Sequence, residues 1–513
     1  MTSPRFATAV AAVTAAVCCT ALAPQRALAQ GSQGPGQVLS ADGPADPVYP
    51  GLGNAGYDAL AYDLAFDYHA DTRTVSGSAA ITARSLTRLE RISLDAAGLA
   101  VSAVKVDGRK AEFALEGEKL TVTPARAIRP GAVLRVQVEY TADLKTVVPG
   151  TRTGWVVTKD GFAVAGQPDT AHTVFPGNDH PSDKARFTVR VTAPSELFGV
   201  ANGTPVGTVE RDGRTTRTYV SRDPMATELL QVSVGSYTVK ERPGSRPGLR
   251  LRDVVPTARA EALEPALALT GDQLAWMEAH LGPFPFEAYG IMPADTDDPK
   301  AFDFTGLETQ TLTLYKPGFL AQREQAVGSH MVHELTHSWF GNSVTPRTWA
   351  DLWLNEGHAD FYGLLYRYER GWPDSLGMTT LDARMQDTYA KADLWRRDSG
   401  PVAAPNAKNL FDGQRYLGGV LALYALREKV GTEVFDRIER EFLRTYRYGT
   451  ASTADYIATA SRVSGQDLGG FLTEWLYGTR VPAMPNHPDW TVTPAEPKLR
   501  SVPTEIPQGS ALL

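Results

Sequence analysis

The sequence predicts an α+β protein in which an antiparallel β-sheet domain precedes a mainly α-helical domain. Three observations predict this fold class. Hydrophobic residues alternate with a period of two from Tyr57 to about Val239. Helix-forming runs fill most of the chain between Thr257 and Tyr477. The composition, 42% hydrophobic and 21% charged over 513 residues, is that of an ordinary globular chain with room for more than one core.

The β-region shows the alternation most clearly in two segments. Tyr62, Leu64 and Phe66 are separated by single polar or small residues, and residues 134–140 repeat the pattern. Asp-Gly dipeptides mark turns between such segments. Strands with one buried face are typical of an antiparallel sheet packed on one side. We therefore assign an N-terminal β-domain to residues 51–245.

The second half of the chain is rich in Ala, Leu and Glu and is predicted to form a helical domain over residues 246–480. Pro265 and Gly271 are expected to kink or split its first helix. Ser452 is suited to cap a later one. Prolines return in a C-terminal tail over residues 481–513. The predicted helices are 257–281, 324–340, 349–370, 417–430, 432–444, 453–462 and 467–477.

The N-terminus has the pattern of a secretory signal peptide. Arg5 supplies a positive charge, residues 6–17 are uncharged and apolar or small, and Ala27 to Ala29 fit a cleavage site. We expect a signal peptide over residues 1–29, cleavage after Ala29, and a secreted protein with a flexible lead-in over residues 30–50. The alternatives are a transmembrane anchor, for which the uncharged residues 6–23 are of about minimal length, and a lipoprotein attached through Cys18.

Cleavage at that position would remove both cysteines of the sequence, Cys18 and Cys19. The mature chain would then have neither disulfides nor thiolate metal ligands, and no membrane anchor. The net charge of the whole sequence is −7, which gives no support to nucleic-acid binding. The oligomeric state is left open.

The strongest chemical feature is the pentapeptide from His333 to His337, in which two histidines four residues apart share one face of a predicted helix. Both imidazoles can reach one Zn²⁺, and Glu334 can stand beside a water at the open coordination position as a general base. The alternative is a surface helix with two solvated histidines. It fits poorly, because apolar residues such as Met331 and Trp339 surround the motif.

A third ligand is available in Glu356, which follows His337 after eighteen intervening residues. The chain between them contains a helix stop at Gly341-Asn342 and a new helix start near Thr348, so the second helix can run back beside the first. Two histidines and one glutamate form a zinc site of the catalytic kind. The alternative for Glu356 alone is an ordinary carboxylate on a helix face.

At these residues the chain resembles the aminopeptidase N family of zinc metallopeptidases, the gluzincins. The resemblance rests first on residues 332–362, VHELTHSWFGNSVTPRTWADLWLNEGHADFY. Residues 175–185 resemble a block of the family's β-domain, Gly306-Leu307-Glu308 resembles its Gly-x-Met-Glu-Asn motif, and Tyr416 to Gly419 resemble its tyrosine block. The resemblance spans roughly residues 57–478. It implies a saddle-like β-domain followed by a thermolysin-like catalytic domain.

The resemblance implies roles for individual residues around one zinc ion per chain. His333, His337 and Glu356 would bind the metal, and Glu334 would move the proton of the attacking water. Tyr416 would donate a hydrogen bond to the oxyanion. Without the resemblance, Tyr416 would be interpreted as a core or rim tyrosine.

The resemblance also implies an amine-binding group. Glu308 would bind the α-amine of the substrate, although Leu307 and Thr309 depart from the motif and the glycine lies two residues before Glu308 instead of three. Gln167 corresponds to a second amine contact, with Asp169 as its alternative. Without the resemblance, Glu308 would be interpreted as a carboxylate at the edge of a strand.

Three further polar residues lie close to the motif in sequence. Asp360, one turn after Glu356, could orient a zinc-binding imidazole, although a solvated helix face is an equal alternative. His330 and His358 are predicted not to bind metal, because the ligand set is complete without them.

These residues predict a secreted, zinc-dependent aminopeptidase that hydrolyses the first peptide bond of peptides with a free N-terminus, using a zinc-activated water. The chain ends before the C-terminal helical domains of larger relatives could begin, so a more open site than theirs is expected. One alternative is a zinc endopeptidase, or a related hydrolase, on the same catalytic domain. The other is a non-catalytic secreted zinc-binding protein.

Overall fold

Strands with alternating buried and exposed residues form the N-terminal half of the computed structural model, which describes residues 46–296, 298, 300–302 and 304–493. The predicted signal peptide, most of the predicted lead-in and the tail beyond residue 493 lie outside the described residues. The strands of this half are β1 (Tyr57–His69), β2 (Thr74–Ser85), β3 (Ile92–Asp95), β4 (Ala100–Val106), β5 (Arg109–Lys110), β6 (Glu112–Glu116), β7 (Lys119–Thr123), β8 (Val133–Asp143), β9 (Trp155–Val157), β10 (Phe162–Val164), β11 (Ala185–Pro194), β12 (Phe198–Ala201), β13 (Thr204–Arg211), β14 (Arg214–Met225), β15 (Val232–Gly235), β16 (Tyr237–Pro243) and β17 (Arg250–Pro256).

The largest sheet has eight strands in the order β13-β14-β11-β1-β2-β8-β4-β5. All neighbouring pairs are antiparallel except β1 with β11, so the predicted, mostly antiparallel β-domain is confirmed. Along β1, Tyr62, Leu64 and Phe66 face the core, as their alternation predicts. Smaller sheets, β12-β15-β10-β9 and β3-β7-β6, pack on the same core.

The second half is mainly helical, as predicted. Its elements are α1 (Glu264–Leu281), β18 (Ala288–Tyr289), β19 (Ile291–Pro293), β20 (Gly306–Leu307), β21 (Thr313–Tyr315), α2 (Pro317–Leu320), α3 (Glu324–Thr336), β22 (Thr345–Pro346), α4 (Trp353–Glu369), α5 (Leu381–Ser399), α6 (Leu417–Val430), α7 (Thr432–Tyr446), β23 (Thr450–Ala451), α8 (Thr453–Ser464) and α9 (Gly469–Tyr477). Ser452 caps α8, since its hydroxyl accepts a hydrogen bond from the backbone N–H of Asp455.

The helix predicted over residues 257–281 is divided next to Pro265, as expected, into a 3-10 turn (Thr257–Arg259) and α1, but the expected break at Gly271 was wrong. α1 begins at Glu264, so Pro265 occupies the first turn, where a missing N–H leaves no helical hydrogen bond unmade. Gly271 lies inside the helix without breaking it, because Leu267 and Leu274 on either side are fully buried against the helical core. Packing therefore outweighs the roughly 1 kcal/mol helix penalty of one glycine.

One helix end and one whole helix differ from the sequence prediction for identifiable reasons. α3 ends at Thr336 rather than at Phe340, because the chain reverses where Gly341 adopts a φ of 129°. α5 was not predicted, since its sequence is densely charged. It is nevertheless held by a buried face that includes Met385 and Tyr389.

Both ends of the described chain are packed against the helical half. Asp46, within the predicted lead-in, is buried and accepts a hydrogen bond from the backbone N–H of Trp349. Within the predicted tail, the Trp490 ring stacks parallel on Tyr424 of α6. The predicted boundary at 245/246 lies in the turn between β16 and β17 and stays a prediction. Among the described residues, no helix is long and apolar enough to cross a membrane.

Candidate active site

Helices α3 and α4 pack side by side and bring the predicted metal ligands together. The approach is close: a Cβ atom on Gly363 of α4 would lie 3.0 Å from the carbonyl oxygen of Ser329 on α3. His333 lies in the last turn of α3, and His337 is its C-terminal cap. Glu356 lies in the first turn of α4 and faces both imidazoles.

His333, His337 and Glu356 form what we call the metal cluster. The two Nε2 atoms are 3.2 Å apart, and Oε2 of Glu356 is 3.4 Å from Nε2 of His333 and 3.5 Å from Nε2 of His337. Tetrahedral ligands at 2.0–2.1 Å from a zinc ion would be separated by roughly 3.3 Å. The three donor atoms therefore fit three corners of a zinc tetrahedron.

The other nitrogen of each imidazole has its own acceptor. Nδ1 of His333 lies 2.7 Å from Oδ1 of Asp360, and Nδ1 of His337 lies 3.1 Å from the carbonyl oxygen of Phe340. Both acceptors favour a proton on Nδ1, which leaves each Nε2 lone pair free for a metal. Asp360 thus lies beside His333, in the position that the sequence indicated.

The electrostatics of the metal cluster favour a positive charge at its centre. Burial opposes protonation, yet hydrogen bonds with Asp360 and Glu356 raise the pKa of His333 well above its usual range. Burial also opposes it at His337, but Glu308 and Glu356 raise its pKa to about 9. Burial would raise the pKa of Glu356, but the two imidazoles hold it at about 2. A bound zinc ion would supply the positive charge that these groups favour, without protonation of the imidazoles.

Glu334 is buried beside the metal cluster, against strand β20. A Cβ atom on Gly306 would lie 2.4 Å from Oε1 of Glu334, so only glycine leaves room for this carboxylate. Its Oε1 lies 3.2 Å from Nε2 of His330, whereas Oε2 has no hydrogen-bond partner among the described residues. The close approach explains why a glycine stands two residues before Glu308.

Glu308 and Gln167 form a second polar group in the same cleft. Nε2 of Gln167 donates to Oε1 of Glu308 at 2.6 Å, across the contact between the β-domain and β20. Burial raises the pKa of Glu308. Asp169, the alternative to Gln167, instead accepts a hydrogen bond from Arg152 at 2.6 Å. Of the two candidates, Gln167 is therefore the one bonded to Glu308.

Tyr416 lines the cleft from the start of α6. α6 lies very close to α4, because a Cβ atom on Gly419 would be only 2.9 Å from Cα of Gly357. This contact brings the Tyr416 ring parallel to the His333 ring, with centroids 6.1 Å apart. Burial, and after it the carboxylates of the cleft, raise the pKa of Tyr416, so its hydroxyl keeps its proton.

Lys184 and Asn342 lie behind this cleft, and the sequence did not indicate a role for either. Nζ of Lys184, from the β-domain, donates to the carbonyl oxygens of Asn342 at 2.8 Å and Ser343 at 2.9 Å. Nδ2 of Asn342 donates to the carbonyl oxygen of Glu308 at 2.7 Å.

The two neighbouring histidines have different surroundings. His358 is fully buried and lies 3.0 Å from Oε2 of Glu439, on the side of α4 away from the metal cluster. His330 contacts Glu334 and is bonded to Thr305. The prediction that both histidines are near the site in sequence only is therefore wrong for His330.

All predicted site residues except Asp360 line one cleft of about 600 Å³. A volume of this size accommodates a few amino-acid residues of a ligand. Residues without a predicted role complete the wall, among them Arg152, Phe302 and Phe411.

Comparison with known proteins agrees with this architecture. Residues 58–229 match the Peptidase M1 N-terminal domain, and residues 266–475 match the Peptidase family M1 domain. A mutant M1 zinc metallopeptidase from Deinococcus radiodurans, bound to a Tyr-Ser-Ala substrate, is 30% identical with a TM-score of 0.74, over 87% of this chain and 100% of that one. A two-domain M1 zinc metallopeptidase mutant bound to L-tryptophan is also 30% identical, with a TM-score of 0.76, over 86% and 100%.

Longer relatives are similar over part of their length. The leucyl aminopeptidase of Saccharolobus solfataricus is 25% identical over 81% of this chain and 53% of its own. Aminopeptidase 2 of Candida albicans is 25% identical over 81% of this chain and 46% of its own. The chain therefore spans about half the length of these curated relatives.

The chain belongs to peptidase family M1. Its fold is that of the M1 zinc metallopeptidases, with a β-sheet domain before a helical catalytic domain. Zinc is the cofactor that the family implies, and the metal cluster is a group of described residues that fits it.

Proposed function

We propose that this chain is a secreted aminopeptidase that requires one zinc ion and hydrolyses the first peptide bond of peptides with a free N-terminus. The observation that carries the proposal is the hydrogen-bonded pair of Glu308 and Gln167 beside the metal cluster, which we call the amine cradle. An ammonium group held in a buried site needs a carboxylate partner. Glu308 supplies that carboxylate, and the amide oxygen of Gln167 can accept a second hydrogen bond.

Zinc, when bound by the metal cluster, supplies a Lewis acid that polarises the peptide carbonyl and activates water at neutral pH. The residues of the chain perform the other steps. The amine cradle holds the substrate N-terminus, so that the first peptide bond lies over the metal cluster. Glu334 accepts a proton from the attacking water and delivers it to the leaving nitrogen. Tyr416 donates its phenolic proton in a hydrogen bond to the oxyanion.

The decisive experiment is hydrolysis of a panel of aminoacyl-amides, each free and N-acetylated, with and without a chelator. We expect chelator-sensitive hydrolysis of the free compounds and little or none of the acetylated ones, because acetylation removes the charge that Glu308 pairs with. Equal rates on both series would favour a zinc endopeptidase. Absence of chelator-sensitive hydrolysis across the panel would favour a non-catalytic zinc-binding protein.

The role of Glu334 has its own test. We expect Glu334→Ala to lower kcat by roughly 10²–10⁴-fold, the usual contribution of a positioned general base. The variant should still contain one zinc per chain, measured by elemental analysis, since the three donor atoms of the metal cluster belong to His333, His337 and Glu356. An active Glu334→Ala variant would overturn the mechanism.

Secretion is proposed from the N-terminal sequence alone. Residues 1–29 would be removed after Ala29, leaving the lead-in, the two domains on either side of residue 245 and the Pro-rich tail. N-terminal sequencing of the protein recovered from the culture medium tests this. A protein retained on membranes, with lipid on Cys18, would contradict it.

A further inference from the structure

Arg415 is a fully buried arginine in the loop that leads from α5 into α6, and the mechanism above does not use it. Its Nη2 atom donates to the carbonyl oxygen of Ser399 at 2.9 Å, and its Nη1 atom donates to that of Pro401 at 2.8 Å. Ser399 is the last residue of α5. The side chain of Arg415 therefore binds the end of one helix to the chain that begins the next.

The carbonyl groups at the end of α5 need such donors. The last carbonyls of a helix have no partner within it, and the negative end of the helix dipole favours a cation there. A planar guanidinium holds two acceptors in a fixed arrangement, which an ammonium on a flexible stem does not. The same loop supplies two further donors, since Gln414 donates to the carbonyl oxygen of Gly400 at 3.2 Å. The second is Asn409, which donates to that of Ser399 at 2.9 Å, and a carboxylate oxygen of Asp412 lies 3.8 Å from Arg415.

The backbone around Arg415 forms a closed turn that contains Tyr416. The N–H of Arg415 donates to the carbonyl oxygen of Asp412 at 3.0 Å. The N–H of Gly418 donates to the carbonyl oxygen of Gly413 at 3.3 Å. Tyr416 is the N-terminal cap of α6, directly after Arg415 in the chain. The place of the Tyr416 backbone is therefore set by this turn, and the turn is fixed to α5 by Arg415.

The placement of Tyr416 matters because its hydroxyl has to meet a group that exists only during the reaction. Tyr416 lines the cleft, with its ring parallel to that of His333. A hydrogen-bond donor stabilises an oxyanion most when it is already aimed at the point where the charge develops. Misplacement of a catalytic group by about 1 Å can lower a rate as much as 100-fold. An anchor next to Tyr416 in the chain therefore bears directly on kcat.

We propose that Arg415 is a positioning residue for Tyr416: by fixing the turn before α6 to the end of α5, it holds the phenolic hydroxyl where the oxyanion forms. The Arg415 guanidinium is fully buried and donates to backbone carbonyl groups, so its effect on the reaction passes through Tyr416. The inference rests on the proposed aminopeptidase function, in which Tyr416 donates to the oxyanion.

A double-mutant cycle with Tyr416→Phe tests this inference, with kcat and KM on a free aminoacyl-amide, zinc content and melting temperature measured for each variant. Tyr416→Phe removes the phenolic donor and should lower kcat roughly 10²- to 10³-fold. Arg415→Met removes the guanidinium and should lower kcat roughly 10-fold, with KM within about threefold and one zinc per chain. In the Tyr416→Phe background the same substitution should lower kcat by less than about twofold, because no hydroxyl is left to position.

Arg415→Lys keeps the charge but loses the planar pair of donors. It should lower kcat roughly threefold in the wild-type background and leave it unchanged in the Tyr416→Phe background, which decides the matter if Arg415→Met does not fold. Arg396→Met and Arg396→Lys are the matched controls, because Arg396 of α5 is also buried and donates to the carbonyl oxygen of Trp475 at 2.6 Å. They should lower the melting temperature, while kcat stays within about twofold of the wild type.

Hydrogen exchange gives a readout that does not depend on activity. Peptides that cover residues 412–420 should exchange faster in the Arg415 variants than in the wild type, and at the wild-type rate in the Arg396 variants. Unchanged exchange there, equal losses of kcat in both backgrounds, or a wild-type kcat in every Arg415 variant that folds would overturn the inference. A wild type without hydrolysis would refute the proposed function itself, whereas an active wild type with equal losses in both backgrounds would refute the positioning role alone.

Discussion

The metal cluster and the amine cradle share one cleft but are built in opposite ways. The metal cluster comes from two consecutive helices, α3 and α4, whose close packing sets its geometry. The amine cradle joins Gln167 of the β-domain to Glu308, 141 positions further along the chain. One group therefore depends on helix periodicity and the other on how the β-domain packs against the catalytic half.

Two hydrogen-bonded residues connect the β-domain to the backbone of the amine cradle. Lys184 reaches from the β-domain into the loop after α3, and Asn342 of that loop holds the backbone of Glu308. Burial lowers the pKa of Lys184 to about 7, and Nζ contacts backbone carbonyl oxygens at this junction. Metal binding and substrate selection should accordingly be separable by mutation.

The largest effect is expected from breaking the metal cluster itself. His337→Ala removes one of three donors, so zinc should be lost and hydrolysis of every substrate abolished. Zinc at a thousand times its Kd would stabilise the wild type by about 4 kcal/mol, and this term should vanish. Elemental analysis and melting curves with and without chelator measure both effects.

His358→Gln is the matched control for this variant, because His358 is equally buried on the neighbouring helix but faces Glu439. It should lower stability while zinc content stays near one per chain. Zinc retained in His337→Ala, or lost in His358→Gln, would contradict the assignment of the ligands.

Breaking the amine cradle should change selectivity and leave the metal in place. Glu308→Gln removes the charge that pairs with an ammonium, so kcat/KM on free aminoacyl-amides should fall roughly 100-fold, about 3 kcal/mol for a buried charged pair. Any rate on the N-acetylated compounds should be unchanged. Asp169→Asn is the control, because Asp169 lines the same cleft but is bonded to Arg152. A parallel loss on both series would mean that Glu308 acts on the metal cluster rather than on the amine.

The same contrast explains how much could be predicted from the sequence. The metal cluster was predictable because a spacing of four residues puts His333 and His337 on one helix face and Glu356 follows on the next helix. The antiparallel β-domain was predictable from strict alternation. The helix α5 was not, since its apolar face is sparse among charged residues and is set by its neighbours.

Contacts made across the chain could not be read from local patterns. The choice between Gln167 and Asp169 depends on Arg152, which takes Asp169 as its partner. Thr305 is bonded to His330, and Gly306 leaves room for Glu334. Both of these partners lie on helix α3, so neither contact is visible in the local sequence. In both cases a polar side chain has several possible partners, and only tertiary packing selects one.

A smaller effect is expected when the support of the metal cluster is weakened without removing a ligand. Asp360→Asn keeps an acceptor for Nδ1 of His333 but removes the negative charge, so zinc affinity should fall about 10- to 100-fold. Competition with a chromogenic chelator measures this affinity. At saturating zinc, kcat should approach that of the wild type. An unchanged zinc Kd would show that Asp360 contributes only packing.

The smallest effect concerns the support of the amine cradle. Asn342→Ala leaves the carbonyl of Glu308 without its side-chain donor, at a cost of about 1–3 kcal/mol in unfolding free energy. Because Glu308 then moves more freely, KM for free aminoacyl-amides should rise roughly three- to tenfold, a change of about 1 kcal/mol, while zinc affinity stays unchanged. Asn178→Ala, which removes a buried amide of the β-domain that does not line the cleft, should lower stability with no change in KM. If both variants raise KM equally, substrate binding depends on the overall stability of the fold and not on the contact between Asn342 and Glu308. The amine cradle would then not be separable by mutation in the way proposed.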